Sequence, residues 1–251
     1  MTMPYRWIDD EVLAIDGVRF TSRQTDRFAS EPDHFCLVKR PELTQAYLDL
    51  LTELRPKRIV EVGVFQGGSA ALAALVAEPD AMVAVELAPG RVHALDQLIE
   101  DRGLGERVHV AHGIDQADPY AVMVALGARD LASGGLDLVV DDASHLLGPS
   151  RRTFDTLFPL LRPGGRFVLE DWGWAHEGLG LHKPDEQPLT ELVFELVMAV
   201  PSRPGLIADL RVTRDWAVVT RGDLEVDRAA FSIERSYNHR GRDLLASDRT
   251  A

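Results

Sequence analysis

The sequence predicts an α/β fold with a mostly parallel β-sheet and an antiparallel hairpin at its C-terminal end. Its 251 residues, 45% hydrophobic and 27% charged, suit one globular α/β domain with a small appendage. From Pro41 onward, short apolar runs alternate with segments of helical periodicity, which is typical of βαβ units. Only Arg214-Asp215 separates the last two apolar runs, so these should pair as an antiparallel hairpin at one sheet edge.

The first forty residues differ from the rest. Asp16-Gly17 lies between two short apolar runs within 12–20, and such a pair is a strong hairpin signal. The hydrophobic content of this part is too small for a core of its own. We therefore predict an N-terminal extension over 1–40, a candidate for oligomer or acceptor contacts.

The main domain is predicted over 41–222. It opens with a helix from Pro41, in which apolar residues recur at helical spacing until Pro56 stops the run. Five strand–helix units and the hairpin follow. The predicted strands are 58–62, 81–86, 108–112, 136–140, 165–169, 206–213 and 216–220, and the later helices are 69–76, 89–102, 120–126, 149–161 and 189–200. The charged tail, 223–251, is expected to be loosely held.

Composition excludes several functions. A formal net charge of −13 argues against nucleic-acid binding through a basic face and against docking on an anionic membrane. Cys36 is the single cysteine, which excludes an intramolecular disulfide and a cysteine-based zinc cluster, and we expect it to be a small buried hydrophobe. No signal-peptide core or membrane-spanning apolar run is present, so a cytoplasmic protein is expected.

A glycine-rich loop follows the first strand of the main domain, with the pattern Glu61-x-Gly63-x-x-x-Gly67-Gly68-Ser69. Such loops bring backbone N–H groups close to a ligand. The pattern is neither the dinucleotide fingerprint nor a P-loop. A carboxylate at the loop's start would repel a pyrophosphate and attract the ammonium of a methionyl group, which predicts S-adenosylmethionine. The expected loop ligands are Glu61, Gly63, Gln66, Gly67 and Ser69.

Two further places suit a nucleoside. Glu86 ends the second strand of the main domain, where a carboxylate can accept hydrogen bonds from both ribose hydroxyls. Nicotinamide enzymes use the same device, and a solvated acid at a strand end is the alternative. After the third strand, Ile114 and Asp115 are candidates for contacts with adenine.

Acidic residues follow the fourth and fifth strands, in Asp141-Asp142-Ala143-Ser144-His145 and in Glu170-Asp171-Trp172. Adjacent parallel strands would bring these carboxylates to the same sheet edge, where ligands of open α/β sheets bind. Such a cluster repels itself unless it is protonated or neutralised by a cation. Oxygen ligands suit Mg²⁺ or another hard divalent ion.

A divalent ion suggests a hydroxyl acceptor. A neutral aliphatic hydroxyl is a poor nucleophile, but coordination lowers its pKa and a nearby base can remove the proton. His145 lies three residues after Asp142 and is the natural base. A structural histidine near a helix start is the alternative interpretation.

Five βα units closed by a hairpin is the organisation of class I methyltransferases, whereas a dehydrogenase would be expected to end in a sixth parallel strand. The segments 141–145, 153–165 and 167–172 resemble the macrocin O-methyltransferase family. That family contains sugar O-methyltransferases of macrolide and other natural-product pathways and is related to the cephalosporin hydroxylase-type proteins. The resemblance covers roughly 41–222.

The resemblance implies an S-adenosylmethionine- and Mg²⁺-dependent enzyme that methylates a sugar hydroxyl on a glycosylated natural product, in antibiotic tailoring. It implies that Asp142, Glu170 and Asp171 bind the metal, that His145 is the general base, and that Asp141 lies closer to the cofactor. Asp142 and His145 would then be the catalytic pair. A homo-oligomer is also implied.

The long segment 173–188 is a candidate acceptor lid, because long loops are often functional. Trp172 and Trp174 could stack on a sugar or pack on the core, and His176 and His182 could contact the acceptor or lie on the surface. The remaining internal histidines, His93, His109 and His112, are expected to be structural.

Three alternatives stay open at this point. The acceptor could be a catechol or other vicinal phenol, which also chelates Mg²⁺. The protein could be a nicotinamide-dependent oxidoreductase, although the dinucleotide fingerprint is missing. It could also be a non-methylating cofactor-binding protein of the kind related to the cephalosporin hydroxylases.

Overall fold

The computed structural model describes residues 5–23, 29–178, 180, 183 and 185–238. Contacts group these residues into two compact units. The first is drawn from 1–115 and 122–131, and the second from 116–121 and 132–251. The predicted boundaries at residues 40 and 222 remain a prediction.

The N-terminal part of the first unit is a small four-stranded sheet. Its strands, in spatial order, are β1 (Tyr5–Trp7), β2 (Val12–Ile15), β3 (Val18–Thr21) and β4 (His34–Cys36). β2 and β3 pair antiparallel across Asp16-Gly17, both of which have positive φ, so the predicted hairpin is confirmed. Cys36 is buried, as expected for a single cysteine that serves as a small hydrophobic residue.

The rest of the first unit alternates helices and parallel strands. These are α1 (Pro41–Leu54), β5 (Arg58–Val62), α2 (Gly68–Ala77), β6 (Ala81–Glu86), α3 (His93–Asp101) and β7 (Val108–His112). The prediction that α3 starts at Pro89 is wrong: Val92 is still extended, with φ −91° and ψ 91°. Helix α4 (Pro119–Gly127) contributes residues to both units.

The second unit carries the parallel pair and the closing hairpin. Its elements are β8 (Leu136–Asp141), α5 (Leu147–Leu157), β9 (Leu161–Glu170), α6 (Thr190–Ser202), β10 (Ile207–Val212) and β11 (Trp216–Arg221). β8 and β9 are parallel, while β11 is antiparallel to both β9 and β10. Hydrogen-bonded neighbours follow the order β5-β6-β7 in the first unit and β10-β11-β9-β8 in the second. The mostly parallel strands and the antiparallel hairpin at the C-terminal end confirm the predicted fold class.

Helix α5 ends within a cluster of aromatic side chains. Phe154 packs on Phe158 and Phe167, with ring centroids 4.5 and 4.9 Å apart. Helix α5 stops at Leu157, and a 3₁₀ turn over 158–160 replaces the predicted continuation to 161. Pro159 lacks the N–H that a further helical turn requires.

The expectation of a loosely held tail is wrong for 223–238. Ile233 is fully buried, and its N–H donates to Asp155 Oδ1 at 2.8 Å. Arg228 donates to the carbonyl of Ser133 at 2.7 Å. The rest of the predicted tail, 239–251, lies outside the described residues. Among the described helices, none has the length and apolar character needed to cross a membrane.

Candidate active site

The glycine-rich loop between β5 and α2 is a tight turn. Gly63 and Gly67 have φ of 94° and 79°, a region that glycine enters without steric cost. The Gly63 N–H donates to the carbonyl of Val85 at 2.9 Å, and the Gly67 N–H to that of Val64 at 2.8 Å. Both glycines are therefore required by backbone conformation.

Gly68 is required for a different reason. A Cβ on this residue would lie 2.1 Å from the carbonyl oxygen of Cys36, closer than van der Waals contact permits. The backbone at the end of β4 in the N-terminal sheet is therefore in direct contact with the backbone at the start of α2.

Glu61 and Ser69, two predicted cofactor ligands, are paired with each other. The carboxylate of Glu61 is only 1% exposed, and the Ser69 hydroxyl donates to its Oε1. The carboxylate is thereby held at the end of β5. A fixed buried carboxylate is suited to attract a cationic group.

Glu86 supports the same loop. Its Oε2 accepts the N–H groups of Val64 and Phe65, each at 2.9 Å, and its Oε1 accepts that of Ala88 at 2.8 Å. Burial alone would raise the pKa of Glu86, but these three backbone donors outweigh it and lower the pKa below its ordinary value. A carboxylate has about four acceptor positions, so about one remains for a ribose hydroxyl while these bonds persist.

Gln66 joins the loop to the N-terminal segment. Its Oε1 accepts the Ser30 N–H at 2.8 Å. After β7, the Ile114 N–H donates to the carbonyl of Glu86 at 2.9 Å, and Asp115 is exposed. The first unit therefore contains every predicted cofactor residue except Asp141.

The second unit holds the acidic cluster. Asp142, His145 and Asp171 each offer a ligand atom, and these atoms lie within 4.8 Å of one another. His145 Nε2 is 3.9 Å from Asp142 Oδ1. The prediction that the ends of β8 and β9 meet is confirmed by their parallel pairing.

Two members of this cluster have unusual backbone conformations. His145 and Asp171 have φ of 55° and 54°, which is uncommon for residues other than glycine. The Asp171 N–H donates to the carbonyl of Asp215 at 2.8 Å, which helps to fix its backbone. Such conformations persist where the surrounding structure holds them and are frequent at functional sites.

Asp141 and Glu170 are almost fully buried, at 2% and 1% exposure. Burial raises the pKa of Asp141 to about 6, although Ser150, His145 and Gln116 oppose the shift. Among the described residues, Asp141 Oδ2 has no hydrogen-bond partner. Glu170 is not part of the three-residue group formed by Asp142, His145 and Asp171, so its role as a metal ligand stays a prediction.

The donor set fits a hard divalent cation. Asp142 and Asp171, which directly follow β8 and β9, offer the carboxylate oxygens that Mg²⁺ prefers, and a cation would relieve their mutual repulsion. An imidazole next to them can serve as a ligand or accept a proton. The arrangement can therefore bind a metal and remove a proton from a group bound to it.

The residues after the acidic pair are fixed by different contacts. The Trp172 Nε1–H donates to the carbonyl of Thr213 at 2.9 Å. Trp174 packs on His145, with ring centroids 4.1 Å apart and planes at 46°. His176 is exposed, and its Nε2 lies 2.8 Å from the Thr190 hydroxyl. His182, which was predicted with His176 as a possible acceptor contact, lies outside the described residues.

Sequence reasoning missed Gln116, whose side chain is 7% exposed and reaches Asp141. A polar residue after a strand was the only local signal. Its partners lie 25 or more positions away along the chain, so spacing could not identify them.

Parts of this chain are similar to known methyltransferases. Residues 60–172 match the family model described as a methyltransferase domain. Demethylmacrocin O-methyltransferase of Streptomyces fradiae is 38% identical over 106 residues, which cover 41% of this chain and 25% of that protein. A second relative is a tetracenomycin 3'-O-methyltransferase of Streptomyces olivaceus, whose name specifies a 2-methoxy-α-L-rhamnosyl compound. It is 30% identical over 171 residues, which cover 60% of this chain and 42% of that protein. The chain thus spans less than half the length of these curated relatives.

Solved structures of methyltransferases are also similar to this chain. The MycE methyltransferase of mycinamycin biosynthesis, in complex with Mg, SAH and mycinamycin VI, is 25% identical, with a TM-score of 0.55 over 72% of this chain and 50% of that one. TomG from Streptomyces achromogenes, an O-methyltransferase of tomaymycin synthesis in complex with SAM, is 18% identical with a TM-score of 0.54, over 76% and 83% of the two chains. The second likeness concerns the fold alone.

Proposed function

We propose that this chain, whose residues 60–172 match the family model described as a methyltransferase domain, methylates a sugar hydroxyl on a glycosylated natural product, as part of antibiotic tailoring. S-Adenosylmethionine is the methyl donor in this proposal. The observation that carries it is the grouping of Asp142, His145 and Asp171 within 4.8 Å. The names of the relatives, which include sugar O-methyltransferases of antibiotic pathways, supply the acceptor class.

We propose cofactor roles residue by residue. The buried Glu61 attracts the ammonium of the methionyl group, and Glu86 accepts a ribose hydroxyl with its remaining acceptor position. The backbone of the glycine loop, whose turn requires the positive φ of Gly63 and Gly67, approaches the ligand. The full proposed set is Glu61, Gly63, Gln66, Gly67, Ser69, Glu86, Asp115 and Asp141.

We propose that Asp142, Asp171 and Glu170 hold Mg²⁺ or another divalent cation. When bound, the cation supplies Lewis-acid chemistry that lowers the pKa of the acceptor hydroxyl and orients it. His145 Nε2 takes the hydroxyl proton as the oxygen attacks the methyl carbon. The S–CH₃ bond breaks as the O–CH₃ bond forms, which yields S-adenosylhomocysteine and a methyl ether.

The residues after the metal pair are proposed acceptor contacts. Trp172 and Trp174 offer aromatic faces to a sugar ring, and the exposed His176 offers a polar contact. The proposed lid over 173–188 stays a prediction, because residues 179, 181, 182 and 184 lie outside the described residues. Since Trp174 already packs on His145, an acceptor stacked on it would lie close to the base. Assembly into a homo-oligomer is also proposed, on the resemblance alone.

Methyl transfer from labelled S-adenosylmethionine tests the function directly. The acceptor panel is a set of rhamnosylated and macrolide glycosides, their aglycones and a catechol, each with Mg²⁺ and with a chelator. We expect transfer to a glycoside, abolished by the chelator. His145→Ala and Asp142→Ala should lower kcat by about 10²-fold or more, while S-adenosylhomocysteine still raises the melting temperature.

Three results would count against the proposal. Transfer to the catechol alone would reassign the acceptor. Full activity of both variants would refute the mechanism. Binding of S-adenosylhomocysteine without transfer to any acceptor would favour a non-methylating role.

A further inference from the structure

The side chain of Gln116 connects three separate parts of the second unit. Its Nε2 donates to Asp141 Oδ1 at 3.1 Å and to the Thr153 hydroxyl at 2.9 Å, and its Oε1 accepts the Ser144 N–H at 3.0 Å. The residue is buried. One amide therefore ties the end of β8, the turn that follows it and helix α5 together.

The donors and acceptors around this amide fix its orientation. The Ser144 N–H can only donate, so it must face the amide oxygen. The Thr153 hydroxyl donates to the carbonyl of Pro149 at 3.2 Å and so accepts from the amide nitrogen. With one acceptor and two donors in use, the side chain is nearly saturated by protein groups.

The contacts to Asp141 and Ser144 are each made one residue before a member of the predicted catalytic pair. Asp141 comes directly before Asp142, and Ser144 comes directly before His145. His145 has a positive φ, so its position depends on how the preceding turn is held. A change in the Ser144 N–H contact would move the imidazole relative to the carboxylate that lies 3.9 Å from it.

We propose that Gln116 is a positioning residue that sets the placement of Asp142 relative to His145 by clamping the turn 141–144. This inference rests on the proposed function, because it concerns the same metal and base. Gln116 acts through Asp141 and Ser144 and itself touches neither metal nor acceptor.

The test measures metal binding without turnover. Mn²⁺ serves as the probe, and its dissociation constant is measured by calorimetry for the full chain and for Gln116→Met, which has similar length but no polar group. We expect the constant to rise about 10-fold, with a similar fall in kcat and less than a threefold change in KM for the acceptor. The dissociation constant of S-adenosylhomocysteine should change less than threefold.

Two control variants separate positioning from loss of stability. Thr153→Val removes the anchor on α5 but keeps the contacts to Asp141 and Ser144, so Mn²⁺ affinity should stay within about twofold even if the melting temperature falls. Gln97→Met changes an exposed glutamine of α3 that donates to Asp101 at 2.8 Å, and it should change neither property.

Each other outcome is decisive. Wild-type Mn²⁺ affinity in Gln116→Met would overturn the positioning role, as would equal losses in Thr153→Val. Weakened binding of S-adenosylhomocysteine with unchanged Mn²⁺ affinity would assign Gln116 to the cofactor instead. If the wild-type chain itself bound no Mn²⁺, the proposed metal-dependent function would fail first, and this inference with it.

Discussion

The contact between Gly68 and the N-terminal sheet gives a sharp test of the structure. In Gly68→Ala, the new Cβ would lie 2.1 Å from the Cys36 carbonyl oxygen, 2.9 Å from its carbon and 3.3 Å from Leu37 Cα. All three are backbone atoms, so no side chain can rotate away. Normal carbon–oxygen contact would require the two segments to separate by more than about 1 Å.

The cost can be estimated from overpacking in well-packed cores, which destabilises by about 1–3 kcal/mol and occasionally more. Because only backbone can yield here, we expect about 3 kcal/mol. For a chain of this size, each 1 kcal/mol lowers Tm by about 2–4 °C. Gly68→Ala should therefore lower Tm by about 6–12 °C.

A matched control is available at the end of α4. A Cβ on Gly127 would meet nothing within 4 Å, and alanine favours a helix over glycine. Gly127→Ala should therefore leave Tm unchanged or slightly higher. Thermal unfolding followed by circular dichroism measures both variants. If Gly68→Ala melted within about 1 °C of the wild type, the approach of Cys36 to α2 would be refuted.

Two further predictions concern the buried charges of the second unit. Glu195 is fully buried, and its Oε2 accepts a hydrogen bond from Arg151 Nε at 2.9 Å. Glu195→Ala should therefore lower the free energy of unfolding by about 3 kcal/mol, because it leaves a buried guanidinium poorly compensated. The double variant Arg151→Met with Glu195→Leu should recover most of this stability in urea unfolding, and equal midpoints for the single and double variants would contradict the prediction. Burial, opposed in part by the Ile233 N–H, raises the pKa of Asp155 to about 6 from 3.8. The folded chain thus holds this proton more tightly, and the resulting stability is present below pH 3.8 and lost as pH rises through 6. The Tm of the wild type relative to Asp155→Asn should fall over that window, and parallel curves would refute the shift.

The parallel sheet and its hairpin were predictable because the evidence for them is local. The strand predicted over 81–86 begins with five consecutive apolar residues, and the three residues between β10 and β11 leave no room for a crossover. The ends of elements were less predictable. Pro159 ends α5 earlier than the apolar pattern of the sequence indicates. Helix α3 begins later than predicted, because Val92 is still extended.

Features that depend on distant contacts were not predictable. The charge of the segment after Arg221 indicated a solvated tail, yet Ile233 and Tyr237 are buried. Those two large residues within a charged run were the signal that could have revealed it. The acidic cluster was foreseen because parallel strands end together, whereas the packing of Trp174 on His145 arises from a loop whose course the sequence does not specify.

The bonds that Glu86 makes to the glycine loop have a consequence for binding strength. Ordering a loop around a ligand costs conformational entropy, on the order of 1–2 kcal/mol for each residue whose backbone becomes fixed. Here the N–H groups of Val64 and Phe65 are already restrained by a carboxylate, and Ser30 restrains Gln66. The loop loses that freedom when the chain folds, so a ligand that enters it keeps a larger share of its contact energy as affinity.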